Sequence, residues 1–184
     1  KDGVPLQPRL YLNAGGTFHL DRVQLPLIET NASKVIAEDF DNDGIEEVVI
    51  VSDQVPSAYG RTPKQFFLKR NKTGKFKEVT QEIIPELQHL GNIKDVFAAD
   101  IDSNGYLDLV AVGHWMPVSI FLNDGKKLTL QKDNGLDHTN GWWNVVKVVD
   151  LDQDGNMDLI CGNWGLNSKL SASRNKPITL YTND

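Results

Sequence analysis

Asp39-Phe-Asp-Asn-Asp-Gly-Ile-Glu-Glu47 recurs twice further along the chain, as Asp100-Ile-Asp-Ser-Asn-Gly-Tyr-Leu-Asp108 and Asp150-Leu-Asp-Gln-Asp-Gly-Asn-Met-Asp158. The three stretches share the form D-x-D-x-[DN]-G-x-x-[DE], and we call them loops one, two and three. An acidic motif that returns at intervals of roughly 50 residues indicates a repeat architecture.

The residues around the loops repeat as well. Short apolar runs precede them at 35–37, 96–99 and 145–149, and others follow at 48–51, 109–112 and 159–161. These runs have the length and the β-branched content of strands. Third runs at 65–69 and 118–122 are followed by the turns 71–74 and 123–125 and by fourth runs at 75–80 and 127–131. Asn-Asp-Gly between apolar runs favours a hairpin, so each unit is predicted to be a four-stranded antiparallel meander.

The chain is therefore predicted to be all-β, a single β-propeller fragment over 1–184 with about three blades and a loop between strands one and two of each. Residues 8–22 would end a preceding blade, 33–80 and 94–132 would form whole blades, and 144–184 a partial blade. Residues 178–182 fit either a third strand or the first strand of a further unit, with Asp184 as its first ligand. Because the chain starts at Lys1 without Met, we expect it to be part of a longer protein.

The loops have the ligand pattern of calcium sites. Oxygen donors at alternate positions 1, 3 and 5 point inward, Gly at position 6 allows the sharp turn, position 7 offers its carbonyl and position 9 returns a carboxylate. The predicted ligands, with about three Ca²⁺ ions, are Asp39, Asp41, Asp43, the Ile45 carbonyl and Glu47; Asp100, Asp102, Asn104, the Tyr106 carbonyl and Asp108; and Asp150, Asp152, Asp154, the Asn156 carbonyl and Asp158.

An acidic motif of this kind has two alternative interpretations, an EF-hand and a simple turn. An EF-hand needs a bidentate Glu at position 12, where this chain has Ile50, Ala111 and Cys161 inside apolar runs. Simple turns also favour Asp, Asn and Gly, but carboxylates about 4 Å apart repel by roughly 4 kcal/mol at an effective dielectric near 20, which favours a bound cation. Asn104 leaves loop two with fewer carboxylates than the other loops. If charge dominates the affinity, loop two is predicted to bind calcium most weakly.

The pattern resembles the FG-GAP repeat, also called VCBS, of integrin α-like propellers and of bacterial secreted or surface proteins. Gly141-Trp-Trp-Asn144 and Gly162-Asn-Trp-Gly-Leu-Asn167 beside loop three are similar to the bacterial branch. The resemblance implies an extracytoplasmic location, secreted, periplasmic or at the cell surface, and a non-catalytic calcium-binding segment of a binding or adhesion protein. It leaves the ligand, protein or carbohydrate, open.

The connections opposite the loops are the predicted binding face, because long loops on a rigid scaffold commonly carry function. All four tryptophans, Trp115, Trp142, Trp143 and Trp164, map to this end, near His114 and several Asn residues. Exposed indoles could stack on a sugar ring or anchor a protein. Packing between blades is the alternative role for each of them.

Composition narrows the remaining function classes. A net charge of -6 argues against nucleic acid as a binding partner, because proteins that bind it concentrate positive charge. No apolar run approaches the roughly 18 residues that a membrane-spanning helix needs. The four histidines lack zinc-type spacing, and no nucleophile elbow or P-loop is present, so no enzyme activity is expected. The alternative is a non-catalytic propeller portion of a larger secreted carbohydrate-active enzyme, such as a polysaccharide lyase. Open sheet edges could also lead to self-association.

Overall fold

The computed structural model describes residues 7–165, 173 and 175–181. Nearly all of its regular structure is antiparallel β-sheet, which confirms the predicted fold class at that level. The strands are β1 (Leu10–Ala14), β2 (Thr17–Asp21), β3 (Ala32–Glu38), β4 (Glu47–Ser52), β5 (Phe66–Arg70), β6 (Phe76–Glu78), β7 (Asn92–Ala99), β8 (Asp108–Met116), β9 (Ser119–Asn123), β10 (Leu128–Leu130), β11 (Gly141–Val149) and β12 (Asp158–Asn163). Helix α1 (Thr80–Ile83) and a 3-10 helix (Pro85–His89) lie between β6 and β7.

Two stretches form the predicted four-stranded meanders. The first meander has the order β3-β4-β5-β6, and in the second β7 pairs with β8, β8 with β9 and β9 with β10. Hydrophobic runs separated by Asx- and Gly-rich turns explain both. In the second, the Asn123 carboxamide oxygen accepts the Gly125 N–H at 2.9 Å, as expected of an Asn-Asp-Gly hairpin.

Strands β11 and β12 form a third, smaller unit. They pair with each other from Val149–Asp158 to Trp143–Asn163, and β11 also joins β8 through Gly141–Met116 and Trp142–His114. This short junction makes one six-stranded sheet from β7 to β12. The hairpin β1-β2 is a separate two-stranded sheet, and the sheets of the described residues do not close into a ring.

The units stack because their second strands are apolar on both faces. On β8, Leu109 and Ala111 pack into a core shared with the first meander, whereas Val110 and Val112 pack into a core shared with β11. Strand β4 repeats this alternation, with Val49 and Val51 facing the first of these cores. Period-two alternation with both faces buried is typical of strands between two packed layers. At about 25 cal/mol per Å² of buried apolar surface, these layers supply most of the driving force for folding.

The first strand of every unit contains a register irregularity at the same place. It lies between Ala32 and Lys34 in β3, between Ile93 and Asp95 in β7, and between Trp143 and Val145 in β11. A bulge redirects a side chain and increases local twist. The repeat motif did not predict this feature, which occurs in the first strand of all three units.

The structure differs from the sequence expectations in two respects. The strand predicted at 178–182 is not formed, because residues 177–181 have no regular structure, and Thr182 and Asp184 lie outside the described residues. The helical segment after β6 was also unforeseen, and Ile84 and Leu87 from it are fully buried in the core between the two meanders. Among the described residues, no helix is long and apolar enough to cross a membrane.

Candidate functional site

Each of the three loops adopts the same conformation. The first Asp of each accepts two backbone N–H groups: Asp39 from Asp43 at 3.1 Å and Gly44 at 2.8 Å, Asp100 from Asn104 at 3.1 Å and Gly105 at 2.9 Å, and Asp150 from Asp154 at 3.1 Å and Gly155 at 3.0 Å. The carboxylate of position 1 therefore closes the turn. These bonds fix that side chain at the centre of its loop.

Positions 4, 5, 6 and 9 complete the repeated geometry. Position 6 is Gly with φ between 82° and 90°, and position 4 is also left-handed, with φ of 57° at Asn42, 60° at Ser103 and 63° at Gln153. The side chain of position 5 accepts the N–H of position 7, and that of position 9 accepts the N–H of position 2. Position 12 of each loop lies in the following strand. This is a strand-linking loop rather than a helical one.

The carboxylates converge in all three loops. In loops two and three the converging groups are positions 1, 3 and 9, namely Asp100, Asp102 and Asp108, and Asp150, Asp152 and Asp158, with oxygen atoms within 4.8 Å of one another. In loop one they are positions 1, 3 and 5, Asp39, Asp41 and Asp43. Three oxygen donors at this spacing could hold a metal ion, and an all-oxygen set suits Ca²⁺. The carbonyl ligands predicted at Ile45, Tyr106 and Asn156 stay predictions.

Loop one differs from the others because it contains a lysine side chain. The Lys69 ammonium, from β5, donates to Asp41 in a short contact and lies 3.2 Å from Asp43 Oδ2 and 3.5 Å from Glu47 Oε1. Burial alone would lower the pKa of Lys69, but the hydrogen bonds to Asp41 and Asp43 and the charge of Glu47 outweigh it and raise that pKa. The ammonium is therefore fully charged at neutral pH.

Two buried carboxylates have raised pKa values. Desolvation raises the pKa of Glu47 and that of Asp108, although each accepts a backbone N–H that acts in the opposite direction. Both are nearly inaccessible, at 2% and 0% exposure. A buried acid of this kind is stabilised in its charged form by a cation beside it.

Loops one and two are physically connected. The buried Asn123 side chain donates to the Phe40 carbonyl at 2.7 Å and to the Leu107 carbonyl at 2.9 Å, while its backbone N–H donates to Asp108 at 2.7 Å. The Asn42 side chain also donates to the Gly105 carbonyl at 3.0 Å. The sequence indicated only a turn at Asn123, and its role between the loops follows from packing that a turn motif does not encode.

Three of the four tryptophans gather at the opposite end. Trp142 packs edge-on against Trp115, with ring centroids 5.3 Å apart, and lies tilted against Trp164 at 4.9 Å. Trp164 is 45% exposed. We call Tyr59, His114, Trp115, Trp142 and Trp164 the aromatic cluster. Trp143 is different, because its ring packs into the core between β8 and β11 and its indole N–H donates to the Thr139 carbonyl at 2.8 Å.

Polar groups border the aromatic cluster. The Tyr59 hydroxyl accepts the Trp115 indole N–H at 3.1 Å and lies 3.4 Å from His114 Nδ1, and His114 Nε2 lies 3.5 Å from the Asn144 carboxamide oxygen. Burial lowers the pKa of His114, so its neutral form predominates at neutral pH. Tyr59 was missed by sequence reasoning, although its position in the long connection after β4 placed it at this end.

Trp115 has an unusual backbone, with φ of 66°. A bulky side chain in the left-handed region costs of order 1–3 kcal/mol and persists only where surrounding contacts hold it, which occurs mainly at functional sites. Here the carbonyl of Trp115 accepts the Asn140 side chain at 3.2 Å and its ring meets Trp142.

Comparison with known families identifies part of the chain. Residues 100–161 match the FG-GAP-like repeat, a range that starts at loop two and includes loop three. Loop one lies outside the matched range. No curated protein matches the chain.

Proposed function

We propose that this chain, with its FG-GAP-like repeat, is a calcium-binding β-propeller segment of an extracytoplasmic binding or adhesion protein. Its ions would be structural, and its ligand would contact the aromatic cluster. The observation that carries the proposal is the strict repetition of one acidic loop between the first and second strands of successive stacked units. A propeller is built by radial repetition of small four-stranded antiparallel sheets, and stacked meanders with a loop between their first two strands suit that design.

The calcium part of the proposal is supported by electrostatics. In loops two and three the three carboxylates stand within 4.8 Å of one another. The ion pairs seen among the described residues involve other carboxylates. Repulsion between the three carboxylates of each loop opposes the folded loop unless a divalent ion enters. An ion bound there would tie the first strand of a unit to its second.

Calcium is therefore expected to raise the melting temperature. With a dissociation constant near 0.1 mM, typical of extracellular modules, about 1 mM calcium stabilises each occupied loop by roughly 1.4 kcal/mol. At about 2–4 °C per kcal/mol for a chain of this size, each ion adds about 3–6 °C. The measurement is a thermal scan in calcium and in chelator, with magnesium as the control ion. Equal melting temperatures in all three would contradict the proposal.

The ligand part is supported by the aromatic cluster and its polar border. Indole faces at different angles, beside the carboxamide of Asn144 and the neutral imidazole of His114, suit the apolar faces and hydroxyls of a sugar ring. The strained backbone of Trp115 adds support. A glycan array probed with the calcium-loaded chain tests this ligand class. Binding to protein partners but to no sugar would exclude it.

Two further expectations belong to this proposal. Apolar side chains are exposed on the outer face of β11 and β12, including Val145 at 50% and Ile160 at 48%. Further blades of a longer protein, or a second copy of this chain, would cover them. The proposed extracytoplasmic location rests on the resemblance to FG-GAP repeats of secreted and surface proteins.

A further inference from the structure

We propose that Lys69 takes the place of the metal ion in loop one, so that the chain binds calcium in loops two and three only. This inference rests on the proposed calcium function of those two loops. It concerns a residue outside the acidic motif, contributed by a different strand.

The position of the ammonium carries the inference. Lys69 contacts the carboxylates of positions 3, 5 and 9, Asp41, Asp43 and Glu47, which are three of the four predicted side-chain ligands of loop one. A calcium ion would need oxygen atoms of the same carboxylates at 2.3–2.6 Å. Coordination by these carboxylates would hold the calcium ion close to the Lys69 ammonium, and the two positive charges would repel each other.

Lys69 reaches the loop because of strand register. It follows Leu68, which pairs with Val48, so it lies opposite Glu47 at the end of loop one. The equivalent residue in the second meander is Leu122, because Phe121 pairs with Leu109 and Asp108 precedes Leu109. An apolar side chain therefore stands where loop one receives a charge.

The converging carboxylates also differ between the loops. Position 9 belongs to the converging set in loops two and three, but in loop one Glu47 is excluded from it. Glu47 Oε1 lies 3.5 Å from the Lys69 ammonium instead, and neither it nor the buried Asp41 Oδ1 has a hydrogen-bond partner among the described residues. Buried anionic oxygens need a counter-charge. Lys69 supplies that charge from within the chain, beside a cavity of about 230 Å³ that Asp41, Glu47 and Asn123 also line.

The test counts bound ions by equilibrium dialysis at 1 mM free calcium. We expect two ions in the wild-type chain and three in Lys69→Met, which frees the oxygens of loop one. The matched control is Lys77→Met. Lys77 pairs with Lys69 in the sheet, but its ammonium contacts the exposed Glu82 rather than loop one, so this variant should keep two ions. Three ions in the wild type, or equal counts in the wild type and Lys69→Met, would overturn the inference.

A second variant covers the case in which Lys69→Met does not fold. Leu122→Lys introduces a lysine at the same register position of the second meander, and it should reduce the count from two ions to one. An unchanged count would overturn the inference.

The outcomes separate the inference from the proposed function. Two ions in both the wild type and Lys69→Met would refute the inference and leave the calcium function standing. No ion in the wild type and one in Lys69→Met would support the replacement of the ion by Lys69 in loop one and refute the proposed calcium function of loops two and three.

Discussion

At the scale of single residues, Trp142 is the centre of the aromatic cluster, since both Trp115 and Trp164 contact its ring. If a sugar binds there, Trp142→Ala should weaken binding by about 30-fold or more, because central aromatic residues of a binding site contribute about 2 kcal/mol or more. Titration of the calcium-loaded variant with the sugar found on the array is the measurement.

The control for that experiment is Phe18→Ala, which removes a 66% exposed aromatic ring from the separate β1-β2 hairpin. It should bind as the wild type does. Equal losses in the two variants, or none in Trp142→Ala with the fold intact, would contradict a role for the cluster in binding.

Residue patterns predicted the acidic loops far better than the contacts made across them. Asp39, Asp100 and Asp150 are at the centre of their loops, as position 1 of the motif requires. The lysine in loop one was not foreseen, because its contact with Asp41 depends on the register between β4 and β5 rather than on any motif. A count of carboxylates predicts that loop two binds calcium most weakly of the three. Lys69 changes this comparison, because its ammonium neutralises part of the negative charge of loop one.

At the scale of elements, the bulge in β7 brings two backbones unusually close. Gly113 on β8 pairs with Ile93 beside the bulge, and a Cβ added to it would lie 2.0 Å from the Asn92 carbonyl oxygen. Because both atoms belong to paired strands, Gly113→Ala must separate β7 from β8. We expect a loss of about 3 kcal/mol or more in the free energy of unfolding, measured by urea denaturation in calcium.

A second glycine variant separates this steric effect from backbone strain. Gly135 has φ of 85° and open space around its Cα, so Gly135→Ala should cost only about 1–2 kcal/mol. If Gly113→Ala and Gly135→Ala had the same free energy of unfolding, β7 and β8 could separate locally at the bulge at little cost, which would contradict this prediction.

Strand alternation explains why the elements were predictable. On β8, successive residues Leu109 and Val110 enter different cores, and an apolar run without polar interruption signals burial on both faces. The bulges were not predictable, because Ser33, Lys94 and Asn144, the residues skipped in the pairing, share no side-chain type. Helix α1 was not predictable for another reason, because its four residues are too few to display helical periodicity.

At the scale of the whole molecule, the three units are not equally supported. The first meander shares a large core with the second, whereas β11 and β12 pack on one face only and leave Val145 and Ile160 exposed on the other. The sequence predicted this order of units but not their unequal burial. The residues of a strand show that one of its faces is apolar, but they do not show which part of the protein covers that face.

Lys69 makes the stability of the three units depend differently on calcium. Because Lys69 neutralises the carboxylates of loop one, the first meander does not depend on bound calcium. Removal of calcium should therefore leave the backbone amides of β3 and β4 protected from exchange, while β11 and β12 open first. Hydrogen exchange after a pulse of chelator would record this as early deuterium uptake at 145–161 and late uptake at 34–51, and simultaneous uptake would contradict it. The chain would then respond unevenly to a loss of calcium: the unit of β11 and β12 would open first, and the first meander, whose loop holds no ion, would keep its structure.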